Sequence, residues 1–494
     1  MFQLSNRFGV QLTMAACFTA WFLAVDAASA QPGSMVSPAE PNYFPVPQVG
    51  PIGDLGKTAP PVFPIAHATG VIDPLSDPQV QPASATAACP DCVCPRCQCG
   101  TCVCPVQPAP CQPCPHVSTL QPYWNVNIFG TLQANMMFNT ARPVAPGIPL
   151  FLAPNSPQAE NTVDIYARSS SLGALFTGPE VGNFKAGGLM MALFYNDALI
   201  VDRYGFLPLQ AFGELRNEDW RIAAGLQFNV FAPNLPTMLT FSSMVGSGNP
   251  GNNFPGQFRI ERYLHPDDNS QWTIQAALSD PVATGVITNS PISTIITGAP
   301  ALFITEDNGW PMVEGRIAYS MGELKQEGLE AKRALEIGVS GVGTQLRSAI
   351  ALNPNVVADV YGVSIDYRWR LNDRWGIVGE AFVGQGLGFL NGGVLQSVNS
   401  ATREAIRTRG AWGEVYHYLT PCLHTHWGAG FDNPIDADLN VAQITYNQTL
   451  FANLIWDVTH QFRVGFELTY RETDYVALPN NQGVGLQTQV QWTF

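Results

Sequence analysis

The sequence predicts an all-β fold: a transmembrane antiparallel β-barrel of about sixteen strands, with eighteen possible, preceded by a disordered Pro- and Cys-rich segment. Three observations carry this reading. Only 13% of the 494 residues are charged, while 45 are glycine and 11% are aromatic. Amphipathic segments of period two recur from Leu120 to Phe494, whereas only the N-terminus approaches the ~18 apolar residues of a spanning helix. The chain closes on VGLQTQVQWTF, in which Val484, Leu486, Val490, Trp492 and Phe494 alternate with Gly485, Gln487, Gln489, Gln491 and Thr493. A soluble sheet could use such alternation. A membrane barrel requires it, with lipid outside and water inside.

Residues 1–30 read as a secretory signal peptide. Arg7 is a thin positive region, Gly9 to Val25 form the apolar core, and Ala28-Ser29-Ala30 is a small-residue cleavage site. A signal anchor, or a lipid anchor at Cys17, is the competing reading.

Residues 31–118 hold about half of the 40 prolines and almost no periodic hydrophobicity. Such a segment buries too little apolar surface to offset its ordering entropy, so it is read as an extended periplasmic tether. It carries Cys89, Cys92, Cys94, Cys97, Cys99, Cys102, Cys104, Cys111 and Cys114. C-x-x-C pairs serve zinc, iron–sulfur and redox sites, but in an exported chain disulfides are favoured. Nine is odd. Cys422 either completes the count or leaves one thiol to join another molecule.

The barrel, 119–494, divides into strands near 123–138, 163–177, 184–196, 206–215, 220–228, 257–264, 271–279, 312–320, 334–346, 358–370, 374–385, 408–418, 422–431, 441–456, 461–473 and 484–494. Faces read directly. Trp220, Ile222, Ala224, Leu226 and Phe228 oppose Arg221, Ala223, Gly225 and Gln227. Tyr361, Val363, Ile365, Tyr367 and Trp369 oppose Gly362, Ser364, Asp366, Arg368 and Arg370. Short polar turns, several followed at once by Trp220, Trp272, Trp375 or Phe462, suit a membrane–water girdle. They fall on the periplasmic side, with long loops outside. The exception is the charged, helix-prone periplasmic connection 322–333.

The inner faces carry Arg168, Arg221, Arg259, Arg316, Arg368, Arg463 and Arg471, with Glu261, Glu314, Asp366, Glu380 and Glu467. Rings of charge set selectivity in pores, and arginine leads this set, which gives a mild anion preference. The alternative is that these charges pair with one another and only hydrate the wall. Loop 280–311 is unusually apolar, as if it covers the pore mouth or a neighbouring subunit. In CLHTH, Cys422, His424 and His426 share one strand face, as wall lining or as metal ligands. GSGNPG matches a dinucleotide motif by letter, but Pro250 and the missing helix argue against it.

VNIFGTLQANMMFNT, ARSSSLGALFTGPEVGNFKAGGLMMALFYND and GQFRIERYL resemble the opening strands of DcaP-like porins. PMVEGRIAYSMG followed by ALEIGVSG is similar to that family's middle. The resemblance covers about 120–494. It implies a trimeric outer-membrane channel for small, often acidic solutes, with a loop at 229–256 that folds inward and narrows the pore. The length and Gly/Asn/Pro content of that stretch allow such a bend, though a floppy surface loop would share them. Phe494 resembles the terminal signal read by the barrel-assembly machinery. Ahead of the barrel the chain departs from the family, which carries a helical or coiled-coil extension there.

The expectation is therefore a porin of the cell outer membrane, in contact with its lipid, for passive diffusion of small hydrophilic anions. It is a homotrimer with no cofactor, no enzymatic site and no nucleic-acid partner, consistent with a net charge of −14. The alternative is an envelope protein cross-linked through the Cys-rich segment and anchored by the barrel. Covalent multimers that collapse with thiol on non-reducing gels would distinguish it.

Overall fold

The computed structural model describes residues 125–144, 147–156, 161–197, 203–251, 253–281, 304–307, 309–327, 330–348, 357–399, 401–402 and 404–494. The signal peptide, the cysteine-bearing tether and most of loop 280–311 lie outside the described residues.

The strands are β1 (Asn125–Asn139), β2 (Thr162–Tyr166), β3 (Ser171–Val181), β4 (Phe184–Asp197), β5 (Arg203–Arg216), β6 (Trp220–Leu226) and β7 (Gly256–Asp267). They continue with β8 (Ser270–Ser279), β9 (Ile304–Asp307), β10 (Met312–Met321), β11 (Lys325–Glu327), β12 (Glu330–Lys332), β13 (Leu335–Ser348) and β14 (Val357–Arg370). The last are β15 (Trp375–Gln385), β16 (Arg407–Thr420), β17 (Leu423–Pro434), β18 (Ile444–Asp457), β19 (Phe462–Tyr475) and β20 (Asn481–Thr493). Each pairs antiparallel with its neighbours, and β20 returns to β1 from Thr131↔Thr493 to Asn139↔Gly485. Gly130 and Phe494 exchange both backbone hydrogen bonds, at 3.0 Å each. The result is a closed barrel of sixteen strands with no free edge, the one sheet form that satisfies every backbone group in lipid.

All sixteen segments expected from the sequence become barrel strands, with ends moved by a few residues. Three details differ. The second segment is broken: β2 and β3 pair with successive halves of β1, and 167–170 bulges between them. Ser170 Oγ takes the Gln133 N–H at 2.9 Å and returns a bond to Gln133 O, so a side chain replaces the ladder there. Residues 322–333, expected to be helix-prone, instead contain the β11–β12 hairpin. Asp373 reaches Lys325 at 2.8 Å, and that hydrogen bond raises the ammonium pKa and lowers that of the carboxyl. Finally, β6 ends at Leu226, so Phe228 leaves the outer face and packs inside against Phe254, 5.8 Å between ring centroids.

The outward face is an apolar belt of residues such as Ile128, Ile165, Phe258, Val313, Val363 and Phe466, all exposed. Trp220, Trp272, Trp369, Trp456, Phe462 and Trp492 ring its short-turn end. The apolar core sits inside the barrel, towards the long-loop end. There Ile148, Leu150 and Phe151 from the β1–β2 loop meet Val245 from the β6–β7 loop. Val394 and Leu395 from the β15–β16 loop join them against Ile444 and Tyr475 of the wall.

Candidate functional site

The β6–β7 connection, 227–255, carries no Asp, Glu, Lys, Arg or His. It enters the barrel and runs around the inner wall from β10 to β20. Buried backbone N–H groups must be paired, and a loop has no ladder to pair them. The wall supplies the acceptors one strand after another. Glu314 on β10 takes the N–H groups of Val230 and Phe231 at 2.8 and 2.9 Å, and the Asn229 amide at 3.2 Å. Ser340 on β13 takes Ala232 N at 3.2 Å. Glu380 on β15 takes Asn234 N at 3.3 Å, its other oxygen being held by Trp412 Nε1 at 3.0 Å. Glu414 on β16 takes Thr237 N at 2.5 Å. At the far turn Glu467 on β19 takes Leu239 N at 2.7 Å, Thr240 N at 3.0 Å and the Thr240 hydroxyl at 2.5 Å. Gln487 on β20 donates to Leu239 O at 2.7 Å, and Asn453 on β18 to Thr237 O at 2.7 Å.

The return leg is held by Asn447, which donates to Gly246 O and Ser247 Oγ at 2.8 Å each. Gly248 and Gly430 let loop and wall touch. A Cβ on Gly248 would lie 2.2 Å from Ala411 O, and one on Gly430 would lie 2.2 Å from Ser247 O. Gly248 also has φ +101, which favours glycine. The inward fold expected for this loop is thus present, and apolar contacts reinforce it. Phe231 packs with Leu387 and Phe389, and Met238 and Met244 pack with Trp412 and Phe451.

The twelve charged residues singled out from the sequence all lie on the inner side of the barrel or in its loops. Eleven are buried, and Arg368 is partly exposed. The structure divides them into groups. Arg221 bridges Glu214 at 2.5 Å and Glu261 at 2.8 Å, and Arg259 reaches Glu261 at 2.6 Å. Arg316 joins Asp366 at 2.5 Å and Glu336 at 2.8 Å, with Arg368 3.8 Å from Glu336. Arg463 meets Asp457 at 2.5 Å. Arg168 lies in the β2–β3 break, 3.8 Å over the Tyr166 ring, bonded to Asp164 at 2.9 Å and to Gly147 O. Glu314, Glu380 and Glu467 serve the loop as above. Arg471 bonds Thr469 Oγ1 at 2.8 Å through Nη1, while its Nε and Nη2 are buried without a partner among the described residues.

Sequence reasoning missed Glu214, Glu336, Glu414 and Asp457, and also Asp432 on β17, whose Oδ2 takes the Val394 N–H of the β15–β16 loop at 3.0 Å. Glu414 was the hardest to see, because β16 turns Trp412 inward and Val415 outward, so neither face reads as polar. Of the CLHTH residues, His424 and His426 are buried on the inner face, while Cys422 is exposed in the turn before β17, with no disulfide partner among the described residues. Among the described residues no group of three or more His, Cys, Asp or Glu could hold a metal ion.

No protein-family model matches this chain, and no curated protein sequence matches it. Among solved structures, the outer membrane channel DcaP of Acinetobacter baumannii superposes with a TM-score of 0.56 at 16% identity, over 75% of this chain and 97% of that one. The fold is that of the outer-membrane channel barrels. An anion-selective porin from Comamonas acidovorans aligns with a TM-score of 0.48 at 10% identity, over 75% of this chain and 100% of that one. Salmonella typhi OmpF in complex with daunomycin gives 0.45 at 11% identity, over 75% and 97%. At 16% identity it is the barrel architecture that is shared with DcaP. The chain has the fold of a closed transmembrane-type β-barrel, with its apolar belt outward and its loop inside.

Proposed function

We propose that this chain is a porin: a diffusion channel for small hydrophilic solutes, narrowed by loop 227–255. The observation that carries the reading is the uncharged loop pinned inside a closed barrel by a succession of wall carboxylates. A barrel that served only as an anchor would have no use for such a device. The proposal includes assembly as a homotrimer and delivery by the barrel-assembly machinery through Phe494. An anion preference is part of it. Glu314, Glu380, Glu414 and Glu467 lie beneath the loop and are engaged with its N–H groups. Arg471 Nε and Nη2 have no hydrogen-bond partner among the described residues, so no wall carboxylate pairs directly with that side of its charge. The expected result in a planar bilayer under a salt gradient is a reversal potential of the sign for anions. Arg471→Gln should lower the anion-to-cation permeability ratio by about twofold or more. A cation-selective native channel, or a ratio unmoved by Arg471→Gln, would contradict the preference.

The cross-linked envelope role has one structural support. Cys422 is exposed at the short-turn end, where Asn125 begins β1 and the cysteine-bearing segment joins the barrel. The non-reducing gels described above test it.

A further inference from the structure

A row of buried titratable groups runs through the wall from the loop towards the short-turn end. Glu414 Oε2 accepts the Thr237 N–H of the loop, and its Oε1 lies 2.7 Å from His426 Nδ1. His426 Nε2 lies 2.9 Å from His424 Nδ1. His424 Nε2 lies 3.3 Å from Asp457 Oδ2, and Asp457 Oδ1 accepts from Arg463 Nε at 2.5 Å. Both imidazoles and Glu414 are buried.

The row has three gaps, each with room for one hydrogen. With Glu414 Oε1 accepting, His426 Nδ1 carries a hydrogen. In a neutral His426 the Nε2 is then bare and must accept from His424 Nδ1–H. A neutral His424 is left with a bare Nε2 aimed at the Asp457 carboxylate, lone pair against lone pair. His424 Nε2 and Asp457 Oδ2 lie 3.3 Å apart, both buried and with no other hydrogen-bond partner among the described residues. One added proton on His424 Nε2 would stand between them. A second would set N–H against N–H between the rings, so uptake stops at one.

We propose that the His424–His426 pair is a proton-binding site that takes up a single proton between two carboxylates. The surroundings fit one added charge. Glu414 from β16 and Asp457 from β18 favour it, and Arg463 from β19 opposes it but is engaged by Asp457. Glu467 lies beyond Asn453, at 3.4 Å from its amide. The Tyr416 and Tyr418 rings pack at 5.9 and 5.0 Å from His426 and His424. The loop brings no charged residue. As pH rises and the proton leaves, the unmatched His424–Asp457 contact returns.

The test is nitrogen-15 NMR of histidine-labelled native protein in detergent micelles, from about pH 8 to about pH 4. The pair identifies itself by a nitrogen–nitrogen coupling across its shared hydrogen bond, so no variant is needed. The expected result is one imidazolium and one neutral ring, still coupled, at the acidic end. Two neutral rings throughout, or two rings that each become imidazolium without coupling, would overturn the site.

Discussion

Glu467→Ala should free the far turn of the constricting loop and raise the single-channel conductance. Glu467 is the acceptor for two buried N–H groups and one hydroxyl of Leu239 and Thr240. A buried donor left unpaired costs ~1–3 kcal/mol, so removing the carboxylate weakens docking of that turn by ~3 kcal/mol or more. That multiplies the undocked population about a hundredfold. The barrel itself should persist, because the β18–β19 and β19–β20 ladders use backbone groups that the substitution leaves alone. The expected record is a larger, noisier conductance in planar bilayers, with unchanged heat-modifiable migration on gels. Glu467→Gln, which keeps one acceptor oxygen, should fall between. A variant that conducts as the native protein does would show that the loop does not depend on this carboxylate.

Gly130→Val should act on the whole fold. Gly130 lies on β1 at the seam with β20, and it exchanges both backbone bonds with Phe494. A Cβ there would lie 2.6 Å from Ser171 O and 2.8 Å from Phe494 Cζ. The first is backbone of the neighbouring strand and cannot swing away. A branched side chain therefore opens the barrel where it closes, and an unclosed barrel leaves strand edges in lipid. The expected outcome is a fall of about tenfold in folded, heat-modifiable protein in the membrane fraction, and Gly130→Ala should be milder. Native yield from Gly130→Val would mean that the seam tolerates what its geometry forbids.

The strands were legible because period two is imposed by physics at each barrel position: lipid on one side, the interior on the other. Trp272, Ile274, Ala276 and Leu278 face outward and Gln275 and Ala277 inward, as their alternation requires. The pattern failed where local chemistry competed with it. The Ser170 hydroxyl replaces ladder bonds to Gln133, where the second strand breaks. Phe228 follows the alternation of β6 by letter, yet it belongs to the loop core. The inner charges were legible as positions, but not as partners. Nothing local in Glu314 or Glu467 says that it will accept N–H groups from residues more than eighty positions away in the chain. The loop's composition showed that it could bend. Only the long-range placement of wall acceptors shows where it docks.

The central claim is that this barrel conducts and that loop 227–255 sets its width. The most direct measurement is single-channel current of the purified native protein beside a variant in which Val230–Asn253 is replaced by a short Gly/Ser turn. Stepwise conductance in the native protein, rising several-fold on excision, is the result predicted. Silent insertion of both proteins, or steps of equal size from the two, would contradict it.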